Sequence, residues 1–204
     1  MLKNIPGFAL LCLVSVGVAG CGSNAVDARV PLKKGQRILV VPFAQGKAKC
    51  FESRLGRDLA GGISATLIPF LPKEAGVLDQ GSAEALLPVP RTDSMDWGRL
   101  GKALKADWVV VGVIRDYRLR DPGTLTTRRG TMVVDYRILD VARGMVALEM
   151  PGRAFHFPLD RSDDPAVNYG MDVFTGSEED IATGLMEVSA FGIASEFFDH
   201  ELPK

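Results

Sequence analysis

The chain predicts an α/β (α+β) fold, a mixed β-sheet with packed helices, on three observations. The runs 38–43 and 108–114 are continuous, apolar and rich in β-branched residues, as strands covered on both faces are. Residues 51–67 place Phe51, Leu55, Leu59, Ile63 and Leu67 every four positions, one apolar stripe of a helix. Residues 131–150 switch to a period of two and read as an antiparallel hairpin. The order is strand, helix, short strand, helix, strand, hairpin, helix, and such an order packs helices on a mixed sheet.

Taken in order, the chain opens with Lys3 and an apolar run over 8–18, then Val18, Ala19, Gly20 and Cys21. This is the layout of a secretory signal, with small residues where a peptidase cuts. The apolar run falls short of the about 20 residues that span a bilayer. Because it ends on Cys21, the stretch Val18-Ala19-Gly20-Cys21 resembles a bacterial lipobox. That resemblance implies that residues 1–20 are a lipoprotein signal peptide, cleaved once the Cys21 thiol carries lipid, palmitate included. Gly22 in place of Asp after Cys21 implies, by the same resemblance, sorting to the periplasmic side of the outer membrane. Residues 21–36 read as a tether of at most about 50 Å at ~3.3 Å per residue. Residues 37–200 read as a single domain of ordinary size.

Formal net charge is −1, and loss of Lys3 with the signal makes it one unit more negative. Nothing in this balance calls for nucleic acid, which favours a basic face. Of three cysteines, Cys12 leaves with the signal and Cys21 takes lipid. Cys50 is then alone, with no intramolecular disulfide: either a buried small hydrophobe at a helix start or a thiol activated by Lys47 and Lys49.

Pro42 predicts that the first strand frays near its end, with a loop over 44–50. Gly61 and Gly62 weaken the first helix by about 1 kcal/mol each relative to alanine, which close packing offsets. Pro69 and Pro72 end it. A short strand is expected at 76–79 and a brief helix at 82–87. Asp93 or Ser94 can cap the next helix, with Trp97, Leu100, Gly101 and Leu104 on its apolar face and Lys102 and Lys105 at its end. In the hairpin, Met132, Val134, Tyr136 and Ile138 form the apolar face, and Asp140 to Gly144 the turn. The return strand, 145–157, is interrupted at Pro151-Gly152. A polar loop covers 160–176. Ser177 to Asp180 matches a capping box before a helix carrying Ile181, Leu185, Val188 and Phe198.

Three pieces carry a further resemblance: Ile38-Leu-Val-Val-Pro-Phe43, Leu100-Gly-Lys-Ala-Leu-Lys-Ala-Asp-Trp-Val-Val-Val-Gly112 and Tyr136-Arg-Ile-Leu-Asp-Val-Ala-Arg-Gly144. Together they look like the periplasmic domain family that includes the curli-secretion lipoprotein CsgG, the lipoprotein activator LpoB and the TolB N-terminal domain. The resemblance implies a fold and an envelope setting, with no active site. Asp107 serves the helix-to-strand turn, Gly112 a close helix approach and Gly144 the hairpin turn.

Catalytic patterns are missing. The Gly46-Lys47 loop lacks the earlier glycine and the Ser/Thr of a phosphate loop, so no nucleotide is expected. Gly61-Gly62 lacks the third glycine of a dinucleotide site. His156 and His200 are the only histidines, without a nucleophile elbow or a metal motif. Asp160, Asp163 and Asp164 lack the spacing of a calcium loop and read as solvated. No metal, cofactor or catalytic residue is expected. Arg115, Arg118, Arg120, Arg128 and Arg129 surround one strand connection, as a partner-contacting rim or as a solvated hairpin mouth.

The expectation is a lipid-anchored, non-enzymatic envelope adaptor that binds a partner protein or itself, with the lipid as its membrane contact. Two family roles stand beside it, a ring-forming secretion subunit and a peptidoglycan-synthase regulator; a hydrolase comes after them. A transmembrane barrel needs alternating strands of about 9–11 residues, which 119–130 and 160–176 do not supply.

Overall fold

The computed structural model describes residues 25–46, 53–85, 95–120, 129–158 and 177–201. The fold is α+β, around an open mixed sheet. In chain order its elements are β1 (Ala25–Val26), β2 (Arg37–Val40), β3 (Ala44–Gln45), α1 (Arg54–Leu67), β4 (Gly76–Val77), α2 (Gln80–Glu84) and α3 (Trp97–Leu104). There follow β5 (Trp108–Arg118), β6 (Gly130–Asp140), β7 (Met145–Phe157), α4 (Glu178–Ala194) and β8 (His200–Glu201). The main sheet runs β4-β2-β5-β6-β7, with β3 also on β5, and β1 pairs with β8 separately.

Strands β4, β2 and β5 are parallel, whereas β5, β6 and β7 are antiparallel. From β2 the chain reaches β4 through α1, then crosses back over β2 to β5 through α3. Parallel crossovers are right-handed, so reversing the direction of travel puts the two helices on opposite faces. The two cores agree. Leu59, Ile63 and Leu67 of α1 and Leu185 and Ile193 of α4 bury Ile38, Val40, Val110, Val134 and Ile138. Trp97 and Leu100 of α3 cover Leu39, Val41, Val109 and Val111 on the other side. Covered on both faces, β2 has no polar alternation.

Ser53 caps α1 by accepting from the Gly56 N–H at 3.0 Å. Ser53→Ala is expected to cost about 1 kcal/mol, read as a lowered denaturant midpoint with unchanged slope. The capping box is present: the Ser177 side chain accepts from the Asp180 N–H, and the Asp180 carboxylate accepts from the Ser177 N–H at 2.7 Å. The Ser177 hydroxyl, donating to Asp180 Oδ2 at 2.8 Å, and then the Ser177 N–H hold the Asp180 carboxyl below the ordinary range.

Several expectations change. The 44–50 loop begins with β3, because the ladder interrupted at Pro42 resumes on β5. The brief helix lies at Gln80–Glu84, earlier than expected. Asp96, not Asp93 or Ser94, caps α3, its carboxylate accepting from the Arg99 N–H at 2.9 Å. β5 extends to Arg118 because β6 pairs with it that far. Pro151-Gly152 does not interrupt β7: the register shifts there, and Gly152 takes φ +62° in a bulge. Phe198 lies beyond α4, after a 3-10 turn at Ser195–Phe197.

The largest change is at the N-terminal end. Residues 25–36, expected as tether, belong to the folded body. Ala25 and Val26 pair with Glu201 and His200. The Val30 N–H donates to the Glu196 carbonyl at 2.8 Å, and Val30 is buried. Only residues 21–24 separate Cys21 from the fold, a reach of about 14 Å at most. The expected lipobox Val18 to Cys21, Cys50, Arg128 and the expected loop over 160–176 lie outside the described residues.

Candidate functional site

The sheet ends on one side at β7, thirteen residues long. Among the described residues no strand pairs with its outer edge. Edge strands template pairing with another chain unless they are short, charged, bulged or capped by proline. β7 is blunted in its middle by Pro151 and the bulge at Gly152, and its register on β6 shifts again between Val146 and Leu148. Its first half, Met145 to Met150, has no described strand on its outer side and leaves Met145 54% and Val146 38% exposed. These side chains also line a cleft of about 590 Å³ with Arg29, Trp108, Asp140 and Arg143.

The carboxylates of that cleft are committed to the backbone. Asp107 accepts from the Arg37 N–H at 2.7 Å while its own N–H donates to the Arg37 carbonyl at 2.8 Å. This reciprocal pair fastens the α3–β5 turn to the start of β2. Asp140 accepts from the Arg143 N–H at 2.9 Å and holds the hairpin turn, where Gly144 takes φ +68°. Trp108 donates from Nε1 to Gln36 Oε1 at 3.2 Å, drawing the N-terminal segment onto the cleft wall. The cleft therefore offers apolar surface beside an open strand edge, with its Arg29 and Arg143 paired to Glu196 and Asp140.

On the sheet face shared with α3, a smaller cleft of about 160 Å³ is lined by Trp97, Arg115, Asp135, Arg137 and Glu149. Asp135 Oδ2 accepts from Arg115 Nε at 2.5 Å, and Asp135 Oδ1 accepts from the Gly152 N–H at 2.8 Å. One carboxylate thus holds both the arginine and the bulge. Arg118 pairs with Asp116 at 2.6 Å, and Arg120 pairs with Glu178 at the start of α4. Arg129 is half-buried just before β6. Three of the described arginines, Arg115, Arg118 and Arg120, are thus paired with acidic neighbours.

Sequence reasoning missed a buried polar cluster. Tyr136, on the apolar face of β6, donates its hydroxyl proton to Glu196 Oε1 at 2.7 Å. Both are buried, and Glu196 Oε2 lies 3.5 Å from Arg29 Nε. Burial, then the bond to Glu196, pushes the Tyr136 phenol far above its ordinary range. The only signal available was a tyrosine in a row of aliphatic residues, since a buried hydroxyl needs a partner.

His156 faces Thr131, Nδ1 to Oγ1 at 3.2 Å, and His200 Nδ1 lies 3.4 Å from the Phe198 carbonyl. Among the described residues no three of His, Cys, Asp and Glu gather as a metal site would require. No described helix is long and apolar enough to cross a membrane. Gly112 and Phe43, from two of the resemblance motifs, meet: a Cβ on Gly112 would lie 2.4 Å from the Phe43 ring. The close approach is of an aromatic ring from the end of the first apolar run.

No known family's profile matches the chain, and no characterised protein matches it by sequence. Among solved structures, the PelC dodecamer from Paraburkholderia phytofirmans is similar at 13% identity and TM-score 0.46, over 85% of this chain and 96% of that one. Lipoprotein GNA1162 from Neisseria meningitidis is similar at 14% identity and TM-score 0.43, over 78% and 98%. TolB from Acinetobacter baumannii follows at 16% and 0.35, over 63% of this chain and 25% of that one. At such identities and scores the likenesses carry no conclusion about what this chain binds or does.

Proposed function

We propose that this chain is a lipid-anchored, periplasm-facing adaptor of the outer membrane that works by binding protein, without catalysis. The observation that carries the reading is the open first half of β7. An extended segment of a partner, or the same edge of a second copy, can add there by main-chain hydrogen bonds, its side chains entering the adjoining cleft. The lipobox ending at Cys21 and the glycine after it support the location. A reach of about 14 Å favours a partner at the same membrane over a synthase across the periplasm.

Photo-crosslinking in intact cells tests this. A photoreactive residue at the exposed position Ala147 is expected to give a discrete adduct, with another envelope protein or with a second copy. Replacing Met145 and Val146 by lysine should lower that adduct about ten-fold, equivalent to about 1.4 kcal/mol of lost edge pairing, with thermal stability unchanged. No adduct, an adduct indifferent to those lysines, or turnover of a small molecule by the purified protein would end the proposal.

A further inference from the structure

Five large apolar side chains among the described residues are strongly exposed, and they fall into two groups. Met145 and Val146 belong to the β7 edge. The others are Phe70 and Phe191, whose rings flank Phe198, and Ile68, two residues before Phe70 on the same 3-10 turn. Phe70 stacks on Phe198 with ring centroids 3.9 Å apart, and Phe191 meets Phe198 edge-on at 6.0 Å. Ile68 is 62% exposed, Phe70 47% and Phe191 37%. Neither α1 nor α4 needs these side chains for its core, which Leu59, Ile63, Leu185 and Ile193 fill.

The position of the cluster says what covers it. Phe191 also packs edge-on against His200, at 5.7 Å, and His200 is the β8 residue that pairs with Val26 of β1. The chain therefore leaves the fold at Ala25 beside these rings, with Cys21 four residues further on. We propose that Ile68, Phe70 and Phe191 form a membrane-contact patch, seated in the interfacial layer of the bilayer that holds the Cys21 lipid. This rests on the reading that Cys21 is acylated.

The chemistry suits that occupant. Aromatic rings are enriched where hydrocarbon meets headgroups, and an apolar surface beside a lipid chain adds a second attachment. A tether this short holds the patch at high effective concentration against the membrane, so weak apolar contact suffices to fix orientation. Lys73, exposed three residues after Phe70, supplies a cation for lipid phosphates. Asp199, between Phe198 and His200, accepts from the Ala28 N–H at 2.8 Å. With the patch on the membrane, rolling of the domain about its tether is suppressed.

Spin labels on the lipidated protein, reconstituted in vesicles of phosphatidylethanolamine and phosphatidylglycerol, test the patch. Labels are attached through Phe191→Cys or Ile68→Cys, and through Lys102→Cys on α3 as the control, each with Cys50→Ser. The ratio of collisions with oxygen to collisions with a water-soluble nickel chelate should be several-fold higher at 191 and 68 than at 102. Ile68 is the more exposed site, so its variant keeps the test sharp if Phe191→Cys perturbs α4. Intact mass of the same sample reports acylation. Acylated protein with all three labels equally open to nickel overturns the patch and leaves the anchor standing. Labels at 191 and 68 shielded from both reagents mean that a second copy covers the rings, which also overturns it. Protein without acyl mass removes the anchor and the proposal together.

Discussion

Gly56→Ala is expected to be the most damaging glycine-to-alanine substitution among the described residues, costing about 3 kcal/mol or more. A Cβ at Gly56 would stand 1.9 Å from the Phe43 carbonyl oxygen and 2.9 Å from its carbon. Those are backbone atoms, so no rotamer change relieves the clash. The same glycine accepts the Phe43 N–H through its carbonyl at 3.1 Å, and donates its own N–H to Ser53. Moving the first turn of α1 outward would break both bonds and open the core beneath Leu59. Gly61→Ala makes the contrast. Nothing lies within 4 Å of a Cβ there, so the helix should gain about 1 kcal/mol from the better former. Urea midpoints of the two variants should move in opposite directions. Equal shifts would mean that α1 does not start against Phe43 as described.

The second large effect is at the buried phenol. Tyr136→Phe removes a hydrogen bond to a buried carboxylate and leaves Glu196 with Arg29 alone, at an expected cost of about 1.5–3 kcal/mol. The substitution should also change the alkaline limb of stability. A phenol whose folded pKa lies above its unfolded value of 10 keeps its proton in the fold while the unfolded chain releases it. Stability from this source is complete below pH 10 and declines as pH rises beyond it. The slope is at most about 1.4 kcal/mol per pH unit for one proton. Tyr117, raised by its own burial, adds to the same limb. Wild type should therefore lose stability between pH 10 and 12 more steeply than Tyr136→Phe, measured by denaturant unfolding at several pH values. Parallel slopes would show that Tyr136 is not held protonated by its site.

What could be read ahead of the structure follows from distance along the chain. The capping box joins Ser177 to Asp180, and four adjacent residues display it whole. The alternation of Met132, Val134, Tyr136 and Ile138 is the strand's own period, and all four are buried. The α1 stripe likewise repeats within a few turns, and Leu59, Ile63 and Leu67 are buried as it requires. The partners of 25–36 are distant in sequence, 171 positions for Ala28 and Asp199 and 72 for Gln36 and Trp108, so this segment looked like a tether. Tyr136 and Glu196 are separated by sixty positions, and neither signals the other. The arginines were visible as a cluster in sequence, but Asp135 and Glu178, on other elements, take up two of them.

The sequence by itself determined the elements and which of their faces are apolar, because propensity, caps and periodicity act over one or two turns of chain. It also carried the resemblance of residues 18–21 to a lipobox, a contiguous pattern. Only the tertiary structure decided that β7 lies at the edge of the described sheet, that a side chain at Gly56 but not at Gly61 would meet backbone, and that the exposed rings of Phe70 and Phe191 flank Phe198 beside the β1–β8 pair. Those facts depend on which distant surfaces meet. Burial and exclusion act between atoms close in space, whatever their separation in sequence.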